Sequence, residues 1–99
     1  MVGEFGTVDA KLTVYALANG MDLIKGDDFR RLEWYLDGMD RGILVSVTPA
    51  ATIEVTAMAW SGDVAAARRE AVGDAIARED FVADLTNMLA GAIERANAL

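Results

Sequence analysis

Histidine and cysteine are both missing from this 99-residue sequence. Without cysteine there can be no disulfide, no thiolate nucleophile and no cysteine metal site. Without histidine the chain lacks the commonest general base and the commonest ligand of transition metals. Carboxylates could still hold Mg²⁺ or Ca²⁺, but Asp37, Asp40 and the glycines beside them do not have the spacing of an EF-hand loop. We therefore expect no catalytic residues, no cofactor and no metal site.

The sequence also lacks a hydrophobic run of membrane-spanning length, and its first residues lack the basic and apolar regions of a signal peptide. We expect a cytoplasmic protein that does not bind a membrane. The formal net charge is −7 at pH 7. Arg30-Arg31 and Arg68-Arg69 are each followed closely by acids. Because no basic patch forms, direct nucleic-acid binding is not expected.

Carboxylates cluster at three places, which are Asp27-Asp28, Asp37 with Asp40, and Glu79-Asp80. Each cluster has a sufficient structural explanation as a helix cap, a turn or a solvated face. The phosphate-binding and nucleophile motifs GxxxxGK[ST], GxGxxG and GxSxG are absent from the sequence. The residues therefore predict that the protein is not an enzyme.

Hydrophobic residues are plentiful, at 54% of the chain, which is enough to exclude disorder and to form one core. Residues 1–7 carry two glycines and no pattern, and we interpret them as a flexible tail or a remnant of an expression vector. Residues 8–99 are expected to form a single small α+β domain. Its predicted order is an N-terminal strand or hairpin, a helix, a β-hairpin and two C-terminal helices.

The N-terminal region allows two interpretations between residues 12 and 25. Leu12–Ala18 is rich in β-branched and aromatic residues and is followed by Asn19-Gly20, which is a strong hairpin signal. On this interpretation, Met21–Lys25 is the returning strand. The alternative is a helix capped by Asp9 and ended by Gly20. We favour the strand, and the alternative stays open.

The next segment is predicted as a helix that begins at Asp27 or Asp28 and ends at Gly38 or Gly42. Phe29, Leu32, Leu36 and Met39 would form its inner stripe. Trp34 and Tyr35 flank this stripe and are candidates for a partner-binding site, since aromatic residues dominate interface hot spots. The alternative is that both side chains cover the core.

Residues 43–58 are predicted as a β-hairpin. Ile43–Val47 and Thr52–Met58 are rich in β-branched residues, and a turn at Thr48–Ala51 contains the only proline. Pairing Val47 with Thr52 predicts contacts between Ser46 and Ile53 and between Leu44 and Val55. The rival interpretation is a helix with Thr48 as its N-cap.

The alanine-rich stretch Asp63–Asn97 is predicted as helical, with Ser61 or Asp63 as its N-cap. Charged residues at 78–80 interrupt its apolar stripe, which favours two helices over a single long one. The apolar residues after this break exceed one narrow stripe. We therefore expect a homodimer that uses the helix from Phe81 onward, with Phe81, Leu85, Met88 and Leu89 as interface candidates.

Trp60-Ser61-Gly62 resembles the Trp-x-Gly signature of small secreted helical-hairpin proteins, which are about a hundred residues long and often cysteine-free. In that family the motif lies in the turn between two long helices. Here the stretch before the motif is predicted as a strand, and no Tyr-x-x-x-Asp/Glu tail follows Leu85. The resemblance implies an alternative function as a secreted protein of that kind.

Together these features predict a small acidic module for protein interaction or oligomerisation, without catalytic activity. Its partner would be a second copy of the chain or a protein of the host. Another alternative is an acidic inhibitor of the kind viruses and phages encode, whose carboxylates imitate nucleic-acid phosphates.

Overall fold

The computed structural model describes residues 5–99. Six antiparallel strands form one sheet, and helices from both ends of the described chain pack on it. In chain order the elements are α1 (Gly6–Asn19), β1 (Asp22–Lys25), β2 (Phe29–Leu36), β3 (Met39–Val47), β4 (Thr52–Trp60), a 3-10 turn (Val64–Ala66), β5 (Arg68–Ala71), β6 (Ile76–Ala77), α2 (Arg78–Ala83) and α3 (Leu85–Ala98). The predicted α+β class is confirmed, as are the two C-terminal helices.

The sheet has the strand order β1-β2-β3-β4-β5, and β6 pairs with β4 beyond the end of β5. Leu32 lies opposite Ile43, and Val45 lies opposite Val55, so these side chains share one face. This face carries the core, which α1 and α3 complete with Leu12, Leu89 and similar residues. The opposite face, called here the outer face, carries no helix of the described chain.

Helix α1 replaces the strand that we favoured for residues 12–18, so that prediction is wrong and the helical alternative is correct. Phe5, Val8, Leu12 and Ala16 recur every three or four residues, and all are buried. Gly20 ends the helix with a φ of 66°, and the Met21 N–H donates to Ala16 O at 2.9 Å. Asn19-Gly20 is therefore a helix end and not a hairpin turn.

Residues 5–7 of the predicted flexible tail belong to the folded domain, because Phe5 is buried and the helix begins at Gly6. The remaining tail residues, 1–4, lie outside the described part. Asp9 is not the N-cap of α1 but lies in its first turn. Its carboxylate accepts two hydrogen bonds from Arg30, at 2.6 and 3.1 Å, which attach the helix to β2.

The helix predicted for residues 27–42 is wrong, because this segment forms β2 and β3. Asp37 and Gly38 form the two-residue turn between the strands, with φ values of 52° and 78°. A type I′ turn needs positive φ at both positions, and such turns match the twist of antiparallel strands. Of the predicted inner stripe, only Leu32 is fully buried. Tertiary pairing has overruled the helical spacing.

The hairpin of β3 and β4 is confirmed, but its predicted register is wrong by one residue. Val47 lies opposite Ile53, Ser46 opposite Glu54, and Leu44 opposite Thr56. The predicted Ser46–Ile53 and Leu44–Val55 pairs are therefore not formed. The cause is the three-residue loop 49–51, which ends in Ala51 with a left-handed φ of 61°. Consequently Ile53 and Val55 join the core.

The helix predicted from Asp63 is wrong up to residue 77 and correct from there on. Asp63 does act as a cap, because its side chain accepts from Ala65 N at 2.9 Å, but it caps only the short 3-10 turn. The chain then forms β5 and β6 along β4. The charged residues 78–80, where a break between two helices was predicted, are instead the start of α2. The break lies at Asp84, between α2 and α3.

Side chains of the outer face itself shield part of that face from solvent. Trp60 is buried over Gly42, where a Cβ atom would lie 3.0 Å from the indole ring. The Arg31 guanidinium lies 5.9 Å from the centre of the Trp60 ring and 5.5 Å from that of Phe29. A strand glycine thus leaves space for a large ring over the sheet.

Candidate protein-binding surfaces

The six residues predicted to bind a partner fall into two groups in the structure. Phe81, Leu85 and Leu89 lie in the core, where they face the sheet. Met88 is half-buried and lines a small cavity of about 180 Å³ with residues of β4 and the β5–β6 segment. Trp34 and Tyr35 are neighbours near the end of β2, where Trp34 is half-buried and Tyr35 is exposed.

Trp34 and Tyr35 line a groove of about 520 Å³, called here the aromatic groove. The end of β2, the end of α1 and the last turns of α3 form its walls. The lining residues are Asn19, Gly20, Met21, Asp22, Glu33, Trp34, Tyr35, Leu36, Ile93 and Asn97. Sequence reasoning found the two aromatic residues but not Leu36 or Ile93, because it placed β2 in a helix.

The two aromatic side chains have different environments, as alternation along a strand requires. Trp34 points to the helices, and its indole N–H donates to Asn97 Oδ1 at 2.9 Å, which fixes the ring against α3. Tyr35 points to the outer face and is 69% exposed. One wall of the groove is therefore rigid, while the other presents an exposed aromatic ring.

The backbone of β2 is unpaired along one edge of this groove. β1 pairs with β2 only from Arg30 to Glu33, so residues 34–36 have no strand on that side. Leu36 and Met39 flank the two-residue turn and form a hydrogen-bonded pair, so the N–H and C=O of Tyr35 point away from β3. Among the residues described, neither group has another backbone partner.

The charge of the aromatic groove is negative. Asp22 and Glu33 lie opposite each other on β1 and β2, and both line it. Arg31 compensates Glu33 through an ion pair of 2.5 Å, whereas Asp22 has no ion-pair partner in the described part of the chain. This arrangement favours a ligand that carries a positive charge.

A second and larger groove, of about 590 Å³, lies between α1 and the α2–α3 junction. We call it the helical groove. Val14, Tyr15 and Ala18 form one wall, while Val82 and Leu85 form the other. Partial burial raises the pKa of the Tyr15 phenol above its ordinary value, because desolvation disfavours the charged form.

Two apolar residues of α1 are strongly exposed, which are Val14 of the helical groove at 67% and Leu17, outside that groove, at 79%. Sequence reasoning missed both, because they were assigned to a strand. On a helix, their positions lie off the buried stripe of Val8, Leu12 and Ala16. The sequence signal for an exposed apolar surface was therefore that this segment has more apolar residues than one buried stripe needs.

Trp60-Ser61-Gly62 follows from the end of β4 and does not connect two helices, so it lacks the setting of the Trp-x-Gly signature. Comparison of the chain with protein-family models, curated proteins and solved structures finds no match. Within residues 5–99, no helix is long and apolar enough to cross a membrane. In the same range, no three acidic side chains are grouped as metal ligands.

Proposed function

We propose that the protein is a small acidic interaction module without catalytic activity, and that it binds an extended segment of a partner protein in the aromatic groove. The observation that carries this proposal is the position of Tyr35. Its exposed ring lies beside the backbone edge that β1 leaves unpaired. Edges of this kind bind peptides by adding a strand, while neighbouring pockets select side chains.

The lining of the aromatic groove defines the chemistry of the bound segment. On the helix side of the sheet, Trp34, Leu36 and Ile93 offer apolar contact to one aliphatic or aromatic side chain. The Tyr35 ring lies on the outer face, where it can contact the next side chain along the segment. Asp22 offers a carboxylate to a lysine or arginine of the same segment. We therefore expect an extended sequence that combines an apolar residue with a basic one.

A selection from a displayed library of random peptides tests this function. Peptides recovered on the parent protein should share an apolar residue and a basic residue at fixed spacing. Tyr35→Ser should abolish the enrichment, since it removes the exposed ring. Asp22→Asn should remove the preference for the basic residue, since it removes the carboxylate. Both positions are exposed, so these variants should keep the melting temperature of the parent.

The matched control is Leu17→Ser, which removes an exposed apolar side chain outside the aromatic groove. This variant should select the same peptides as the parent. Recovery of no consensus sequence, or of one that Tyr35→Ser leaves intact, would contradict the proposal. Cytoplasmic location and the absence of catalytic activity remain part of the proposal.

A further inference from the structure

The outward side of α1 is an apolar surface that the fold does not use. Its buried side supplies Val8, Leu12 and Ala16 to the core, while Ala10, Val14 and Leu17 recur at helical spacing on the exposed side. Val14 also lines the helical groove, so the projecting side chains continue into a concave surface. The surface is therefore both a ridge and a cleft.

We propose that this surface binds a second copy of the chain, so that two α1 helices pack against each other around a two-fold axis. A two-fold interface uses the same patch on both copies. The patch must therefore contain both the projecting side chains and the cavity that receives those of the other copy. The outward side of α1 does so, because Val14 and Leu17 project beside the groove formed with Val82 and Leu85. The alanines at 10 and 18 leave room for close approach of two helices.

The local charge also favours a second copy. The chain carries a net charge of −7, so most pairs of surfaces on two copies repel each other. The carboxylate of Asp9 is neutralised by Arg30, which leaves Lys11 as the charge on the groove side of α1. Asp84 lies on the other wall of the helical groove and interacts with Asn87 at 2.8 Å.

If a self-associating patch carries one cation and one anion, a two-fold axis allows them to form two ion pairs between the copies. Lys11 of each copy would meet Asp84 of the other, while the apolar ridge is buried between the two ion pairs. A partner that is strongly basic would instead be attracted to the acidic surfaces elsewhere on the chain. The neutral and apolar character of this patch thus indicates self-association.

This dimer differs from the one that the sequence predicts, which uses the helix from Phe81 onward. Phe81, Leu85 and Leu89 are occupied in the core, so that helix has no free stripe of its own. The interface would bury a small number of side chains on each copy, which predicts a weak dimer in the micromolar range.

Sedimentation of the parent protein from low micromolar to near-millimolar concentration should show a reversible monomer–dimer equilibrium. Leu17→Glu places a charge at the centre of the interface and should shift the equilibrium to monomer over this range. Ala90→Glu makes the same charge change at an exposed position of α3 that lies outside the helical groove, and it should leave the dimer intact. A monomeric parent, or a dimer that survives Leu17→Glu, would overturn the proposal.

A charge exchange distinguishes pairing between copies from pairing within one copy. Lys11→Glu and Asp84→Lys should each weaken self-association, because like charges then meet twice across the axis. An equimolar mixture of these two variants restores two opposite pairs only in the mixed dimer, so the mixture should associate more strongly than either variant alone. If the mixture sediments as monomer, Lys11 and Asp84 do not meet across the interface and the proposed packing is wrong. None of these variants alters the aromatic groove, so its peptide binding should not change.

Discussion

Arg41 is a buried cation that is stabilised by carbonyl oxygens and not by a carboxylate. It is 5% exposed, and no acid of the described residues forms an ion pair with it. Its Nε donates to Leu36 O at 3.1 Å, and an Nη donates to Ala96 O at 2.7 Å. Ala96 lies in the last turn of α3, where the helix dipole and the free carbonyl groups favour a positive charge.

We expect Arg41→Met to destabilise the fold by about 1.5–3 kcal/mol, because it leaves the buried Ala96 carbonyl without its charged donor. Arg41→Lys loses the forked geometry of the guanidinium but keeps a positive charge near the carbonyl oxygens. Because the charge is kept, Arg41→Lys should destabilise the fold less than Arg41→Met. Urea unfolding at neutral pH measures both variants. A methionine variant as stable as the parent would show that the carbonyl finds another donor.

Ala51 is strained, because it adopts a left-handed conformation that costs a residue with a Cβ atom roughly 1–2 kcal/mol. Glycine removes this cost but gains freedom in the unfolded chain, so Ala51→Gly should give a net stabilisation of roughly 0.5–1 kcal/mol. Ala50→Gly is the matched control, since Ala50 is exposed in the same loop without a positive φ. Ala50→Gly should lower the free energy of unfolding by about 0.4–1 kcal/mol. Equal effects of the two substitutions in chemical unfolding would contradict this explanation.

At the scale of elements, the glycines of helix α3 and strand β3 should respond in opposite ways to substitution by alanine. A Cβ atom added at Gly91 in α3 would meet nothing within 4 Å, so the helix gains nothing from the missing side chain. Gly91→Ala should therefore stabilise the protein by about 1 kcal/mol. Gly42→Ala in β3 should destabilise it by about 1–3 kcal/mol, because Trp60 and the Leu32 carbonyl both crowd that position. Thermal unfolding of the two variants should give shifts of opposite sign.

The elements also show which parts of the fold the sequence could predict. The β3–β4 hairpin was predictable because both strands are rich in β-branched residues and the only proline lies between them. The helical character of residues 78–98 was predictable because the buried positions, which are 81 in α2 and 85, 89, 92 and 96 in α3, keep helical spacing. The end of α3 is further fixed by Arg41, which no local pattern reveals.

The two segments predicted as helix but found as strand share one physical cause, which is that pairing in a sheet outweighs local propensity. Residues 64–71 are rich in alanine and arginine, which are good helix formers, yet Arg68–Ala71 adds to the free edge of β4. Phe29 and Leu32 have helical spacing, but the Asp37-Gly38 turn joins β2 to β3. Of the aromatic groove, Trp34 and Tyr35 were predictable because they are adjacent in sequence, whereas Ile93 comes from a distant helix.

At the scale of the whole molecule, net charge opposes the compact state. Sixteen acids and nine basic residues give a charge of −7, and three ion pairs are formed among residues 5–99. Arg95 and Glu70 are exposed partners in one of them, so that pair contributes little to stability. Repulsion among the remaining carboxylates should then dominate the electrostatic part of the folding free energy.

Salt should therefore stabilise this protein. The Debye length falls from about 30 Å at 0.01 M salt to about 8 Å at 0.15 M, which screens repulsion across most of a globule with a Cα radius of gyration of 12.7 Å. We expect the melting temperature of the dilute monomer to rise over this range of sodium chloride. Replacing both Glu54 and Glu94 with lysine lowers the net negative charge at exposed positions, so the variant should show a smaller salt dependence. A melting temperature that falls with added salt would mean that the ion pairs outweigh the repulsion, because screening weakens attraction as well.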